Sequence, residues 1–356
     1  MEALPGGAAR IADVAALAGV GEATVSRVLN GHGNVRPATR EKVLEAIRTL
    51  DYRPSSVARN LSLGRTMMVA VVVPWLTNAS AVERIRGVID AISSSPYELM
   101  IFDVESEDRQ RRTFELLERG DRADGLLLVS MVPPDAELER LRATNIPCVL
   151  VDAQDGFHPI VAVDDVAGGE MATRHLIDLG HRRIGFIGDT PPEFRFGWSR
   201  DRTRGYERAL ERAGIDLRSD YVREGTRSVH VARSIATELL ELPDAPTAIF
   251  AASDTQALGV LDAARLLDVR VPEDLSVVGF DDIEVAAYVG LTTVRQPLFE
   301  SGRRGAELLL RSLSGKPVHA RTELLPLELV VRVTTGPVSL PSSVRAGSAS
   351  ATRGRP

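Results

Sequence analysis

The sequence predicts an N-terminal all-α helix-turn-helix head followed by an α/β domain of two doubly wound, parallel-sheet subdomains. Three observations predict this division. Apolar residues recur at helical spacing between residues 11 and 50. From Met67 onward, short β-branched runs alternate with amphipathic stretches. The charge also changes sign: residues 1–65 contain nine Lys/Arg and six Asp/Glu, whereas the remainder of the chain is acidic.

Length and composition bound the possible classes of protein. A chain of 356 residues, 44% hydrophobic and 26% charged, is long enough for two or three domains and is not disordered throughout. No apolar run approaches the roughly 18 residues that a membrane span requires. The single cysteine, Cys148, excludes an intramolecular disulfide and a thiolate-rich metal site. The first residues show no signal-peptide pattern, so we expect a cytoplasmic protein without a membrane partner.

Three helices are predicted in the head. Gly19-Val20-Gly21 separates the first two, and the third begins at Pro37. It ends before Pro54, because the residue before a proline avoids helical angles. The apolar positions that define the helical spacing are Val14, Ala15, Ala18, Val25, Val28, Leu29, Val43, Leu44, Ile47 and Leu50.

The spacing of Ala15, Gly19 and Val25 is typical of a helix-turn-helix. A small residue lets two helices cross closely, a glycine takes the positive φ angle of the turn, and a valine fills the space between the helices. The second helix then presents polar groups suited to phosphates and to base edges in a major groove. These residues are Glu22, Ala23, Thr24, Ser26, Arg27 and Asn30. A helical bundle with a polar face is the alternative, and the basic charge of the head disfavours it.

In the body of the chain, near-continuous apolar runs separated by helical stretches predict buried parallel strands joined by βαβ crossovers. The runs are Val69–Val73, Leu99–Val104, Leu126–Val129, Cys148–Val151, Ile184–Ile187, Ala248–Ala251 and Val277–Phe280. So many strands exceed one small sheet, which favours two subdomains. The composition of residues 1–9 and 336–356 predicts disordered tails.

Several motifs give the chain a resemblance to a known family. In the head they are Thr24–Gly31, Val35–Arg40 and Leu50–Pro54. In the body they are Gly180–Gly188, Ser253–Gly259, Val271–Asp282 and Leu291–Pro297. Together they resemble the lac repressor/galactose repressor family of bacterial regulators over about residues 10–335. The resemblance implies a homodimeric repressor that binds operator DNA and a small-molecule effector, with a periplasmic-binding-protein-like sensor domain.

The resemblance also implies roles for the exposed residues of the second helix. Glu22, Ala23 and Arg27 become the residues that read bases. Thr24, Ser26 and Asn30 become phosphate contacts, which fix the position of the helix on the DNA but do not read the base sequence. Glu22 is unusual facing DNA, and it either accepts a hydrogen bond from a cytosine amino group or points away. Two departures from the family are Gly21, where a serine is usual at the helix N-cap, and Arg10, where a threonine is usual.

Residues 55–66 form a linker that is too polar for a stable isolated helix. By resemblance it folds into a hinge helix on the operator, where Leu61 enters the minor groove and Ala58 and Arg59 contact its walls. An apolar side chain inserted at a base step kinks the duplex. The alternative is a flexible linker with Leu61 packed on the body.

The acidic pair Asp281-Asp282 follows a predicted strand, at the end where doubly wound sheets bind ligands. Paired acids also occur in metal sites and in acid–base catalysis, but no histidine lies beside them. The resemblance instead makes Asp281 an acceptor for an effector hydroxyl group. It makes Arg202 the residue that anchors the effector, whereas a surface salt-bridge arginine is the alternative.

The expected effector cleft contains further residues. Ser253 stands where many members of the family carry an asparagine, and its hydroxyl offers fewer donors. The family's aromatic run after Asn78, another expected cleft residue, is replaced by Ala79-Ser80-Ala81. Trp75 and Trp198 are candidates for the missing stacking face, although tryptophans at such positions are also common in cores and rims.

The predicted boundaries place the helix-turn-helix domain at 10–54 and the effector-binding domain at 67–335. Within the latter, the N-subdomain covers about 67–164 and 295–323, and the C-subdomain about 165–294 and 324–335. The sequence shows no nucleophile–base pair, no metal-ligand spacing and no cofactor motif, so we expect neither an enzyme nor a cofactor. A sugar-binding transport receptor without DNA function is the competing class, and the helix-turn-helix argues against it.

Overall fold

In the computed structural model of the protein, the described residues are 9–29, 35–52, 64–189, 197–318 and 322–338. They divide into two compact units between Met67 and Met68. The first unit is helical and the second is an α/β domain, as the sequence predicts.

The head consists of α1 (Ile11–Ala18), α2 (Glu22–Leu29) and α3 (Pro37–Thr49). The predicted start of the third helix at Pro37 is confirmed. Gly19 ends α1 with a φ angle of 68°, the left-handed conformation that glycine adopts at little cost. The helices enclose a small core of Val14, Ala15, Val25, Val28, Val43 and Ala46. Leu44, in contrast, is exposed on α3.

The first part of the α/β domain alternates strand and helix. Its elements are β1 (Met68–Val73), α4 (Ala79–Ser93), β2 (Glu98–Asp103), α5 (Glu107–Leu117), β3 (Gly125–Val129), α6 (Asp135–Ala143), β4 (Cys148–Val151) and β5 (Ile160–Ala162). The alternation continues with α7 (Asp165–Asp178), β6 (Ile184–Asp189), α8 (Gly197–Arg212), β7 (Val222–Gly225), α9 (Val229–Leu240), β8 (Ala248–Ala251), α10 (Asp254–Leu266) and β9 (Ser276–Asp281). The last elements are α11 (Glu284–Tyr288), β10 (Thr292–Arg295), α12 (Leu298–Leu313), β11 (Thr322–Leu324) and β12 (Glu328–Val330).

These strands form two six-stranded sheets within the described residues. The first has the order β11-β5-β4-β3-β1-β2 and is parallel throughout. The second has the order β12-β10-β9-β8-β6-β7 and is parallel except for its edge strand β12, which runs antiparallel to β10. Each sheet is covered on both faces by helices, which explains why its central strands are apolar on both sides.

The chain passes between the two sheets three times, and we call each sheet with its helices a lobe. It leaves the first lobe after β5, returns after β10 so that α12 packs on the first sheet, and leaves again after β11. The second of these crossings contains Gln296, which lies beside the cleft described below. Neither lobe is a continuous stretch of chain, and three crossing segments join the two lobes.

All seven predicted strands are present, and five further strands were not predicted. β5, β11 and β12 have three residues each, too few for a recognisable pattern. β7 contains charged residues because it forms a sheet edge, whereas the threonines of β10 are buried and form hydrogen bonds with Asp254 and Thr335. The antiparallel β12 is a departure from the purely parallel sheets that the sequence predicts.

The predicted start of the C-terminal tail at 336 is wrong by at least three residues. The Gly336 carbonyl accepts hydrogen bonds from Ser276 Oγ and contacts His181 Nε2, each at 3.1 Å. The Val338 N–H donates to the Leu179 carbonyl at 3.0 Å. Residues 336–338 are ordered, although their composition predicts disorder, because their backbone groups form hydrogen bonds with polar groups of the second lobe.

Candidate DNA-binding helix and ligand cleft

Helix α2 presents a polar face that is separate from the core of the head. Val25 and Val28 are buried, whereas Glu22, Ala23 and Arg27 are exposed. Thr24 and Ser26 are half-buried, and Asn30 lies outside the described residues. The exposed face therefore carries the three residues that were predicted to read bases.

Gly21 serves as the N-cap of α2, since its carbonyl accepts from the Thr24 N–H at 2.8 Å and from the Val25 N–H at 3.3 Å. It brings no side-chain oxygen to the orphan amides of the first turn. At α1 the Asp13 carboxylate accepts from the Arg10 N–H at 2.8 Å. A complete capping box has a second hydrogen bond, from the backbone N–H of Asp13 to the N-cap side chain. Arg10 cannot form this bond, because an arginine side chain has no hydrogen-bond acceptor.

The predicted hinge residues Ala58, Arg59 and Leu61 lie outside the described residues.

A cavity of about 270 Å³ lies between the two lobes of the α/β domain. It is formed at the carboxyl ends of the parallel strands, where doubly wound sheets bind ligands. Its lining residues are Val73, Pro74, Trp75, Asn78, Ser80, Ala81, Arg84, Ser130, Asp152, Asp189, Arg202, Thr226, Arg227, Asp281 and Gln296. A more open cavity of about 740 Å³ adjoins it and shares Ser130 and Asp152.

Arg202 of α8 is 1% exposed, so the interpretation as a surface salt-bridge arginine is wrong. Its Nε donates to Asp165 Oδ1 at 2.8 Å, and its Nη1 donates to the Ala252 carbonyl at 2.6 Å. The guanidinium carbon lies 3.8 Å from the centre of the Phe280 ring. These contacts hold the guanidinium rigidly at the cavity wall.

Asp281 ends β9 and shares the wall with Arg202. Its Oδ1 lies 3.6 Å from Arg202 Nη1 and accepts from Gln296 Nε2 at 2.6 Å. Asp282 has a different surrounding, because it pairs with Arg295 and Arg332 at 2.7 and 2.6 Å. The adjacent acids therefore do not act as one paired site.

Two further ion pairs in the cavity wall were not predicted from the sequence. Arg84 of α4 pairs with Asp152 at 2.9 Å and donates to Gln296 Oε1 at 3.1 Å. Asp152 directly follows the predicted strand β4, so its position at a carboxyl end was a usable signal. Arg84 gave no such signal, since it lies inside an amphipathic helix.

The other unpredicted pair joins Arg227 to Asp189 at 3.2 Å. Asp189 is the last residue of β6, and its Oδ1 also accepts from Gln256 Nε2 at 3.0 Å. Arg227 lies in the loop between β7 and α9, where no sequence pattern indicated a site.

Ser253 is predicted to bind the effector, but the structure gives it another role. It is fully buried at the N-cap of α10, where its Oγ accepts from the Gln256 N–H at 3.3 Å. It also donates to Gln256 Oε1 at 3.0 Å, and it does not line the cavity. Its hydroxyl is thus engaged in capping.

Asn78 and Trp75 line the cavity at the start of α4. Asn78 is the N-cap residue, although its side chain makes no capping hydrogen bond. Trp75 is half-buried and packs against the core of the first lobe. It therefore lines the cavity and contacts the core at the same time, whereas the sequence left a stacking face, a core position and a rim position as alternatives. The side chain of Trp198 lies outside what the structure describes.

Burial shifts the acidity of several carboxyl groups near the cavity. Desolvation raises the pKa of Asp165 to about 7, despite the opposing attraction of Arg202. Desolvation also raises the pKa of Asp189, which Arg227 opposes. Asp254 behind the cavity has its pKa raised by burial and by the negative charge of Asp281. Among the described residues, no three His, Cys, Asp or Glu side chains are grouped to hold a metal ion.

The arrangement defines a class of protein: a helix-turn-helix unit joined to a two-lobed ligand-binding domain. Two family models match the chain, "Bacterial regulatory proteins, lacI family" at residues 10–55 and "Periplasmic binding protein-like domain" at residues 173–335. Within the described segments, no helix is long and apolar enough to cross a membrane.

Individual proteins extend the match to almost the whole chain. Catabolite control protein A of Priestia megaterium is 34% identical over 331 residues, covering 91% of this chain and 98% of that protein. The transcriptional regulator CelR in complex with cellobiose is 34% identical, with a TM-score of 0.69, over 92% of this chain and 99% of that one. The lac repressor dimer bound to operator and the anti-inducer ONPF is 27% identical, with a TM-score of 0.81 and the same coverage.

The chain belongs to the lac repressor family of bacterial regulatory proteins. It is a ligand-responsive, sequence-specific DNA-binding transcriptional regulator, as the resemblance of its motifs predicted.

Proposed function

We propose that the protein is a homodimeric repressor that binds a palindromic operator and is controlled by a small polar effector, such as a sugar, in the interlobe cleft. The polar, exposed face of α2 is the observation that supports this function most directly. One such face reads too few bases to be selective, so two copies related by a two-fold axis bind two half-sites. Since bacterial operator DNA lies in the cytoplasm, the protein works there, associated with the nucleoid when bound.

In this proposal, Glu22, Ala23 and Arg27 contact base edges from the exposed face of α2. Arginine is the side chain best suited to guanine, because its fork of N–H groups matches the two acceptors of that base in the major groove. Thr24, Ser26 and Asn30 contact phosphates and set the register of the helix.

The linker between the head and the α/β domain completes the DNA contact. Leu61 enters the minor groove at the operator dyad, and Ala58 and Arg59 flank it. Each linker folds fully only when both copies meet in the groove, since its sequence is too polar for an isolated helix. A small change in linker spacing then releases the DNA.

The effector lies between a lobe of about residues 67–164 with 295–323 and a lobe of about 165–294 with 324–335. Arg202 and Asp281 supply its principal polar contacts, while Asn78 and Trp75 contact it from the start of α4. Trp198 is a further contact, and Ser253 acts indirectly by capping α10. Closing the lobes on the effector changes the separation of the two linkers, so DNA and effector affect each other's affinity reciprocally.

A mobility-shift assay tests the DNA function. Operator sequences are first selected from random duplexes by the full-length protein, and binding is measured with Arg27→Ala and Leu61→Ala. We expect Arg27→Ala to relax base preference at one position of each half-site and Leu61→Ala to weaken operator binding. Arg111→Ala, an exposed residue of α5, is the control. Failure to select any palindromic sequence would contradict the proposal.

A further inference from the structure

The N-terminus of α4 opens directly into the interlobe cavity. Ser80 and Ala81 of its first turn line the cavity and are 6% exposed. The first-turn N–H groups of a helix have no acceptor within the helix. Here the Asn78 side chain does not cap them, and the first turn contains no acidic residue. This end of the 15-residue helix thus presents donors and a partial positive charge to whatever enters the cavity.

Arg84 adds a full positive charge one turn further along the same helix. It is 3% exposed, and its Nη2 serves both Asp152 and Gln296. Its Nε is buried and has no hydrogen-bond partner among the described residues. A buried guanidinium N–H without an acceptor is costly, so a ligand oxygen at this point would be strongly favoured.

A second guanidinium approaches the same turn from the opposite lobe. Arg227 Nη1 lies 3.4 Å from Ser80 Oγ, while Nη2 lies 3.2 Å from Asp189 Oδ2. The Arg227 side chain is 15% exposed, which leaves it accessible from the cavity. Two arginines from different lobes therefore flank one helix N-terminus.

We propose that the effector carries an anionic group, a carboxylate or a phosphate ester, which binds at the first turn of α4 between Arg84 and Arg227. The inference rests on the proposed function of the cleft as the effector site, and it specifies the chemical class of that effector. The hydroxyl-bearing part of the ligand then extends toward Arg202 and Asp281. Because Arg227 belongs to the other lobe, the anionic group also favours lobe closure.

The charges of the cavity are compatible with an added anion. Three arginines and three aspartates line it, so the wall is close to neutral when all are ionised. Desolvation raises the pKa of Asp189, so burial disfavours the ionised carboxylate that pairs with Arg227.

The test compares matched neutral and anionic probes on the full-length protein by isothermal titration calorimetry. The probes are glucose, glucuronate, glucose 6-phosphate and inorganic phosphate. We expect saturable binding of at least one anionic probe, roughly tenfold or more tighter than glucose, as the loss of one hydrogen bond to a charged group implies. Glucuronate and glucose 6-phosphate distinguish a carboxylate from a phosphate as the preferred group.

Variants separate the proposed site from general electrostatic attraction. Arg84→Gln and Arg227→Gln should each remove the anion preference, whereas Arg84→Lys should retain part of it and Arg111→Gln all of it. Because Arg84→Gln leaves Asp152 buried without its cation, thermal unfolding is measured in parallel, and Arg227→Gln decides the outcome if Arg84→Gln unfolds.

Three results would overturn the inference: glucose binding as tightly as its anionic counterparts, an anion preference that survives the folded glutamine variants, or no saturable binding of any anionic probe at tens of millimolar. Operator selection with the same preparation reports on the proposed DNA function separately. A protein that selects an operator but fails these titrations is still a repressor, with a different class of effector.

Discussion

Arg202 and Asp281 face each other in the wall of the interlobe cavity, with Nη1 of the arginine 3.6 Å from Oδ1 of the aspartate. Both side chains are almost fully buried. Arg202 is held by Asp165 and the Ala252 carbonyl, and Asp281 is held by Gln296. Protein contacts thus fix the position of each group, so its side-chain entropy is already lost before any ligand enters the cavity.

The Arg202 contacts predict a large effect on stability. Arg202→Ala leaves Asp165 and Asp281 buried without their cation, which typically costs about 3–5 kcal/mol in the free energy of unfolding. Urea denaturation of the full-length protein measures this change. Arg204→Ala, on the same helix but half exposed, should cost at most about 1 kcal/mol. Equal effects of the two substitutions would show that the buried pairing is unimportant.

The effector response should depend on the same two residues. At temperatures where the variants remain folded, Arg202→Ala and Asp281→Ala should keep near-normal operator binding and lose most of the effector response. Effector affinity is measured by calorimetry and operator binding by mobility shift. Full effector affinity in both folded variants would mean that the effector binds elsewhere.

The buried carboxyl group of Asp254 predicts a pH dependence. Its oxygens accept from the Ile283 N–H at 2.8 Å and from Thr293 Oγ1 at 2.6 Å, and its pKa is raised well above the usual value. The native state thus retains a proton that the unfolded chain releases above about pH 4. This contribution to stability is present below that pH and is lost as pH rises through the native pKa.

Asp254→Asn imitates the protonated group and should therefore reduce the fall in unfolding free energy between about pH 5 and pH 8. Denaturation curves of wild type and variant across that range measure the difference. Parallel pH profiles for the two proteins would contradict the assignment.

Helices α7 and α8 cross so closely that only glycine fits at their contact. A Cβ on Gly205 would lie 2.2 Å from the Val166 carbonyl oxygen, and one on Gly169 would lie 2.4 Å from that of Arg202. Gly205→Ala should destabilise the second lobe by about 1–3 kcal/mol or more, because backbone rather than side chain obstructs it. Gly185→Ala, whose Cβ would meet side chains at ordinary distances, is the matched control in thermal unfolding. Similar melting temperatures for both variants would refute the close crossing.

Gly21→Ser should stabilise the head slightly. Gly21 does not have a positive φ angle, and a Cβ added there meets nothing within 4 Å. The serine hydroxyl can accept from a first-turn N–H of α2, which is worth a few tenths of a kcal/mol over glycine. Unfolding of the head followed by circular dichroism checks this, with Gly21→Ala as the control. A lower melting temperature for the serine variant would mean that Gly21 is not the cap.

Operator affinity should depend steeply on salt. If several head residues neutralise phosphates, the logarithm of the affinity falls by roughly 0.9 for each phosphate per unit of log salt concentration. Fluorescence anisotropy at a series of salt concentrations measures the slope, and removal of residues 1–65 should abolish binding. A flat response would exclude phosphate contacts as the main source of affinity.

Local patterns were sufficient to predict much of the fold. Helical spacing and Gly19 predicted the head, and the runs of β-branched residues predicted the central strands of both sheets. The strands β5, β11 and β12 escaped prediction because each has only three residues, and β7 escaped it because a strand with one open side has no need of an apolar sequence. The close crossing of α7 and α8 also escaped prediction, because the need for glycine at position 169 arises from contact with a residue distant in the chain, Arg202.

The sequence by itself determined the class of protein, because the helix-turn-helix and the motif resemblance depend on residues close together in the chain. The resemblance also pointed to Asn78, Trp75, Arg202 and Asp281, which line the cleft, but only the tertiary structure decided which other charged residues join them. Arg84, Asp152 and Arg227 belong to separate βα units, and they converge only because the carboxyl ends of two parallel sheets face each other. Arginine and aspartate are common surface residues whose exposed ion pairs are weak. In the cleft they are buried, and the exclusion of water strengthens the electrostatic interactions between them.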